Sequence, residues 1–216
     1  VENNRRRGSW GEAYVIAAPK WLGTSVGHYK FCATMRQYIP LGTPKVVFAY
    51  RLAYQGFFGN APWYAMPVYT TMGPKPDNDG LGGYRTVRGI MLNRVQGLHT
   101  GFYNAEVSYR FIDFKLFNQN IALTVSGFTD GTHVFKDYDM SMSEAKRAEL
   151  AATAPNKLAL YDQYVFADKK DGFHGSAGAG LRFIMNENFI VAFEYARCFN
   201  KQDGDGAFYI NIGFLF

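Results

Sequence analysis

The segment Phe208-Tyr209-Ile210-Asn211-Ile212-Gly213-Phe214-Leu215-Phe216 decides the fold class. Phe208, Ile210, Ile212, Phe214 and Phe216 occupy every second position, and the residues between them are smaller or more polar on balance. A period of two is the side-chain repeat of a β-strand with one apolar face. In water, an exposed strand of this kind invites edge-to-edge aggregation. In hydrocarbon its apolar face already has a suitable solvent. The segment therefore points to an all-β fold, an antiparallel transmembrane β-barrel.

The same alternation recurs upstream. Val46, Phe48, Tyr50, Leu52 and Tyr54 oppose Ala49, Arg51, Ala53 and Gln55. Ala105, Val107, Tyr109 and Phe111 oppose Glu106, Ser108 and Arg110. Ile121, Leu123 and Val125 oppose Thr124 and Ser126, and Leu181 and Phe183 oppose Gly180 and Arg182. Phe189, Val191, Phe193 and Tyr195 oppose Ala192 and Glu194. Two weaker segments, 9–18 and 29–38, bring the expectation to about eight strands. The polar faces carry both signs of charge, which suits an enclosed, wet or side-chain-filled centre.

Alternation alone does not separate a barrel from a soluble β-sandwich. Connection lengths do. Tight joins at 40–44, 117–120 and 186–188 alternate with long ones near 19–28, 60–101, 131–172 and 198–206. Brief turns at one end and large loops at the other are what an outer-membrane barrel produces. The whole chain, 1–216, reads as one such domain. Its C-terminus falls on the periplasmic side, and its long outer loops lie near 60–101 and 131–172. Ser141 and Glu144 have capping-box spacing before a run of helix formers, which predicts a helix over 144–152 in the second long loop.

Composition agrees. Aromatic residues make up 17% of the chain, with 15 Tyr and 19 Phe, as the aromatic girdles of a membrane barrel require. No stretch approaches the roughly 18 consecutive apolar residues of a transmembrane helix. The net charge of +5 is spread along the sequence, so anionic lipid headgroups suffice as its partner and nucleic acid is not expected. Cys32 and Cys198 lack metal-ligand or redox spacing and leave a disulfide between them open. His28, His99, His133 and His174 all fall in or beside long joins without ligand spacing, so neither a metal nor a cofactor is expected.

The decapeptide Leu81-Gly82-Gly83-Tyr84-Arg85-Thr86-Val87-Arg88-Gly89-Ile90 resembles the Gly-Gly and Val-Arg-Gly signature of the bacterial surface antigen family, the BamA-like outer-membrane assembly and translocation barrels. Further pieces follow in that family's order: Asn104-Ala105-Glu106, then Gly127-Phe128-Thr129-Asp130, then Gly178-Ala179-Gly180-Leu181-Arg182-Phe183, and a terminal Phe216. The resemblance implies that the loop of Gly82, Gly83, Val87, Arg88 and Gly89 folds back into the barrel. It also implies that Arg88 pairs with Asp130 of the Phe128-x-Asp130 strand. A guanidinium fork matches a carboxylate bidentately, and neither charge tolerates burial alone. The resemblance covers only the last eight strands of a sixteen-stranded barrel. The family's closing strand carries a Gly where this chain has Asn211.

An eight-stranded barrel is just wide enough to be filled by side chains, which leaves little room for an internal loop. Three arrangements follow: a closed small barrel with the loop outside, half of a larger barrel, or two copies joined at their edges. The expected function is non-enzymatic, in outer-membrane protein assembly or translocation or as a barrel subunit of an envelope complex, with lipid, protein partners or self-association as its contacts. Two other classes compete. One is a barrel-associated, lipase-like hydrolase, for which His174 and Ser176 are the nearest approach to a nucleophile pair, with no Gly-x-Ser-x-Gly elbow. The other is a soluble β-sandwich binding module.

Overall fold

The computed structural model describes residues 6–66, 69–70, 78–165 and 170–213. Among these residues ten strands form: β1 Gly8–Ala18, β2 His28–Leu41, β3 Thr43–Gly59, β4 Tyr69–Thr70, β5 Asn78–Asp79, β6 His99–Leu116, β7 Gln119–Lys136, β8 Phe173–Met185, β9 Phe189–Cys198 and β10 Ala207–Ile212. Eight of them make one antiparallel sheet in the order β1-β2-β3-β6-β7-β8-β9-β10, and β4 pairs only with β5. The fold is thus all-β and antiparallel with eight strands in the sheet. It is one curved layer, not the two packed layers of a sandwich. No helix among the described residues is long and apolar enough to cross a membrane.

Among the described residues β1 and β10 share no ladder, so the sheet is open. The closed small barrel is therefore not the arrangement found. The curl is nonetheless strong. Arg6, just ahead of β1, reaches Glu187 in the β8–β9 turn at 3.1 Å, and Arg110 of β6 reaches the same carboxylate at 2.7 Å. Non-Gly residues with positive φ build the tight turns: Phe117 and Asn118 between β6 and β7, Asn186 and Glu187 between β8 and β9. Consecutive left-handed residues give the twist that a tight hairpin needs.

Side chains sort across the sheet as the alternation requires. Lys30, Thr34, Arg51, Gln55, Asn104, Glu106, Thr124, Ser126, Asp130, Arg182 and Glu194 are buried on the concave face. On the convex face Phe208, Ile210 and Ile212 are 62%, 63% and 76% exposed. Leu52, Val107, Tyr109, Val125, Leu181, Phe193 and Tyr195 join them there. Phe214 and Phe216 lie outside the described residues. This is the inverse of a water-soluble fold, which exposes its charges and buries its aromatics. Cys32 and Cys198 are both buried and free, so the disulfide is not formed.

The long connection after β7 carries two helices, α1 Glu144–Thr153 and α2 Pro155–Tyr164. Ser143, not Ser141, caps α1, its hydroxyl accepting from the Lys146 amide. The capping pattern predicts only the first of these helices; Pro155 at the first turn of the second is compatible with a helix start, where no N–H is needed.

Gly178 of β8 leaves room for its neighbour across the ladder. A Cβ there would stand 2.4 Å from the Phe128 ring and 2.3 Å from the Tyr195 carbonyl oxygen. Gly178→Ala should destabilise the sheet by about 1–3 kcal/mol through overpacking, read as an earlier urea midpoint in detergent. A midpoint equal to wild type would show that both the Phe128 ring and the Tyr195 carbonyl have freedom to move aside.

Candidate functional site

One row of residues runs across the concave face. In register, Arg51 of β3 faces Asn104 of β6, Asn104 faces Asp130 of β7, Asp130 faces Ser176 of β8, and Ser176 faces Cys198 of β9. The segment 81–95 lies over this row and crosses the strands. Its apolar side chains Leu81, Val87, Ile90 and Val95 pack with Phe102, Val134 and Ala53 into a buried cluster. The loop is pinched by bridges between Leu81 and Val95 and between Gly83 and Val87. Gly82 has φ +104°, and a Cβ on it would stand 2.0 Å from the Met91 carbonyl oxygen, so only glycine fits that crossing.

Moving along the loop, each polar group meets the next strand. The Arg51 guanidinium donates to the carbonyls of Arg85 at 2.6 Å and Thr86 at 3.4 Å. Its Nε donates to Asn104 Oδ1 at 2.8 Å, and Asn104 Nδ2 donates to the Thr86 carbonyl at 2.8 Å. Arg88 meets Asp130 three times: Nε to Oδ2 at 2.8 Å, Nη2 to Oδ1 at 3.1 Å, and its own amide to Oδ2 at 3.0 Å. The Ser176 hydroxyl donates to the Arg88 carbonyl. The Gly89 amide donates to the Tyr209 hydroxyl of β10 at 2.8 Å. Gly89, at φ +86°, sits against Ala196 of β9 and Ser176, where a Cβ would be tight.

Arg88 has no solvent exposure. Besides Asp130, its Nη1 donates to Glu194 at 3.1 Å and Glu106 at 3.2 Å. Arg182 bridges the same two glutamates, with Nη2 donating to Glu194 at 2.6 Å and to Glu106 at 2.8 Å. Phe128 lies beneath the Arg88 guanidinium, 3.4 Å from ring centroid to Cζ, and supplies a cation–π face. The Phe128-x-Asp130 pattern thus acts as a unit, since residues two apart in a strand share a face. The three cations Arg51, Arg88 and Arg182 stand against the three anions Glu106, Asp130 and Glu194. That balance is what lets the group sit in a water-poor interior.

The structure therefore brings Arg88 and Asp130 together, with Gly82, Gly83, Val87, Gly89 and Phe128 packed around them. Phe208, Ile210 and Ile212 face away from this cluster. No motif in the sequence marks Glu194, Arg182, Arg51 or Tyr209 as partners of the loop. Their signal was their place on the polar side of alternating strands, but alternation does not state which strands are neighbours or at what register.

At the long-loop end, both nitrogens of His174 face carboxylates: Nε2 lies 2.8 Å from Asp171 and Nδ1 lies 2.9 Å from Asp203. Both ring nitrogens are thus taken up by carboxylates, and neither is bonded to Ser176. Ser176 itself is committed to the Arg88 carbonyl. Among the described residues no group of acids, histidines and cysteines could hold a metal ion.

No protein-family model and no curated protein matches the sequence. The fold does have matches among solved structures. BamA from Haemophilus ducreyi lacking POTRA domains 1–3 superposes with a TM-score of 0.55 at 16% identity, over 96% of this chain and 38% of that one. The likeness establishes a shared barrel fold, and this chain spans about two-fifths of that protein's length.

Arg88→Ala and Asp130→Ala should each destabilise the protein by about 3–5 kcal/mol, since each strands a buried charge. The double variant should fall short of their sum by about 0.5–3 kcal/mol. Additive effects in denaturant titration would show that the pair does not interact energetically. A pH effect belongs to Asp171, outside the strands, whose carboxyl is held below its ordinary value by the hydrogen bond from His174. A depressed carboxyl stabilises above its unfolded pKa near 3.9 and loses that contribution as pH falls through the folded value. The long loop after β7 should accordingly become more protease-sensitive as pH falls below about 4, and Asp171→Asn should already be sensitive at pH 5. A pH step of equal size in that variant would exclude Asp171 as its source.

Proposed function

We propose that this chain is part of a BamA-like β-barrel in the outer membrane of a Gram-negative-type bacterium, belonging with the bacterial surface antigen proteins. It works without catalysis in assembly or translocation of outer-membrane proteins, or as a barrel subunit of an envelope complex. One observation carries the reading. The loop with Arg88 is buried against a charge-balanced concave face, while Phe208, Ile210 and Ile212 and their outward neighbours stay exposed on the other. Hydrocarbon is the solvent that suits such an outer surface. The tight turns and the C-terminal strand end then lie on the periplasmic side, and the helical hairpin of α1 and α2 lies outside.

Open strand edges cannot face lipid, because each unpaired backbone group there costs several kcal/mol. The free sides of β1 and β10 are therefore covered, by further strands of a larger barrel or by a second copy. Lipid and an envelope protein are the partners this reading assigns, with no nucleic acid.

Membrane residence is tested by carbonate washing and by a heat-modifiable gel band; extraction by carbonate would end the barrel reading. Val125→Arg, on the outward face of β7, should lower stability in bilayers by about 2–4 kcal/mol if it lies near the midplane. The assembly role is tested by deleting the protein and quantifying outer-membrane barrels. An unchanged set of barrels would remove that role and leave the structural-subunit one.

A further inference from the structure

The order in which the loop meets the strands carries a consequence for the open edge. Residues 85–89 touch β3, β6, β7, β8, β9 and β10 in turn, through Arg51, Asn104, Asp130, Ser176, Ala196 and Tyr209. The segment is a transverse strap, and its last attachment is the terminal strand of the sheet.

That strand is weakly held by anything else. β10 pairs with β9 over six residues, and its other side has no ladder among the described residues. Phe208, Ile210 and Ile212 point outward and pack on no protein core. Of its inward side chains, Asn211 has an amide nitrogen that is buried without a hydrogen-bond partner. Tyr209 reaches the strap, accepting from the Gly89 amide at 2.8 Å, with the Tyr84 ring 6.1 Å away. The connection leading into β10 is tied to the same loop. The Met91 amide donates to the Asp203 carbonyl at 2.9 Å, and Arg94 Nε donates to the Gln202 carbonyl at 3.1 Å. The Asp203 carboxylate meanwhile faces His174 at the start of β8.

We propose that seating of this strap and docking of β10 are one coupled equilibrium, with the Tyr209–Gly89 contact as the latch between them. When the strap is seated on Asp130, Gly89 is presented to Tyr209 and the terminal strand is held to the sheet. When the strap lifts, β10 loses its inward tether and its pairing with β9 loosens. The coupling works in both directions, because any linkage between two conformational states is reciprocal. It rests on the sheet and loop geometry and not on the assembly role, so the two fail separately.

Hydrogen exchange on the full chain in detergent micelles tests it with two mild variants. Tyr209→Phe keeps the ring and removes the hydroxyl. Thr86→Val acts at the far end of the strap, where the hydroxyl bonds Gly80 and Gly82. Each variant removes bonds of the size that changes local opening about threefold to tenfold. Coupling predicts that Tyr209→Phe speeds exchange by that factor in 207–212 and also at the Gly83 amide, which bonds Ile90 inside the loop. It predicts that Thr86→Val speeds exchange in 207–212 as well as in 81–90. Acceleration confined to the segment carrying the substitution, or none from Tyr209→Phe in either segment, would overturn the proposal. Should Thr86→Val fail to fold, the Gly83 amide in Tyr209→Phe decides the matter alone.

Discussion

A guanidinium withdrawn from water has to be matched group by group, and burial of Arg88 places that demand on β6, β7 and β9 at once. Asp130 answers it with a bidentate contact plus a bond from the Arg88 amide, and Glu106 and Glu194 take Nη1. Two glutamates side by side would repel one another. Arg182 sits between them and removes the conflict. The result is a lattice in which no member is removable alone, because each loss leaves a partner charged and unpaired. Much of the concave face takes its shape from this one requirement.

Backbone geometry had to make room for that lattice. A loop can cross a row of strands only if its own carbonyls and amides find partners there, and the row from Arg51 to Ser176 supplies them. Glycine appears where the approach is closest: Gly82 under the Met91 carbonyl, Gly89 against β9, and Gly178 beneath Phe128. The ion cluster and the apolar cluster of Val87, Ile90 and Phe102 are parts of one assembly. Val87 and Arg88 are neighbours in sequence, and their opposite chemistry is accommodated because they enter different layers of the interior.

Facing the other way, the same strands carry Leu52, Val125, Leu181 and Phe193 outward, where no protein covers them. A sheet with a charge-paired polar face and an uncovered apolar face is favoured by a medium that accepts the apolar side. The proposed bilayer setting rests on this asymmetry and not on any single residue. It also explains why the free edges matter, since the medium that suits the apolar side chains cannot solvate bare backbone.

Strand identity, the facing of each side chain and the division into tight and long connections were legible in the sequence, because a two-residue repeat and turn chemistry are local properties. Arg88 and Asp130 were legible as partners only through motif resemblance, and Glu194, Arg182, Arg51 and Tyr209 were not. Their convergence depends on strand order, register and the path of a loop across six strands, none of which a local pattern encodes. The open form of the sheet, with its loop inside, was likewise decided by tertiary structure: whether β1 and β10 meet depends on curvature summed over the whole sheet, and that sum is a property of no segment by itself.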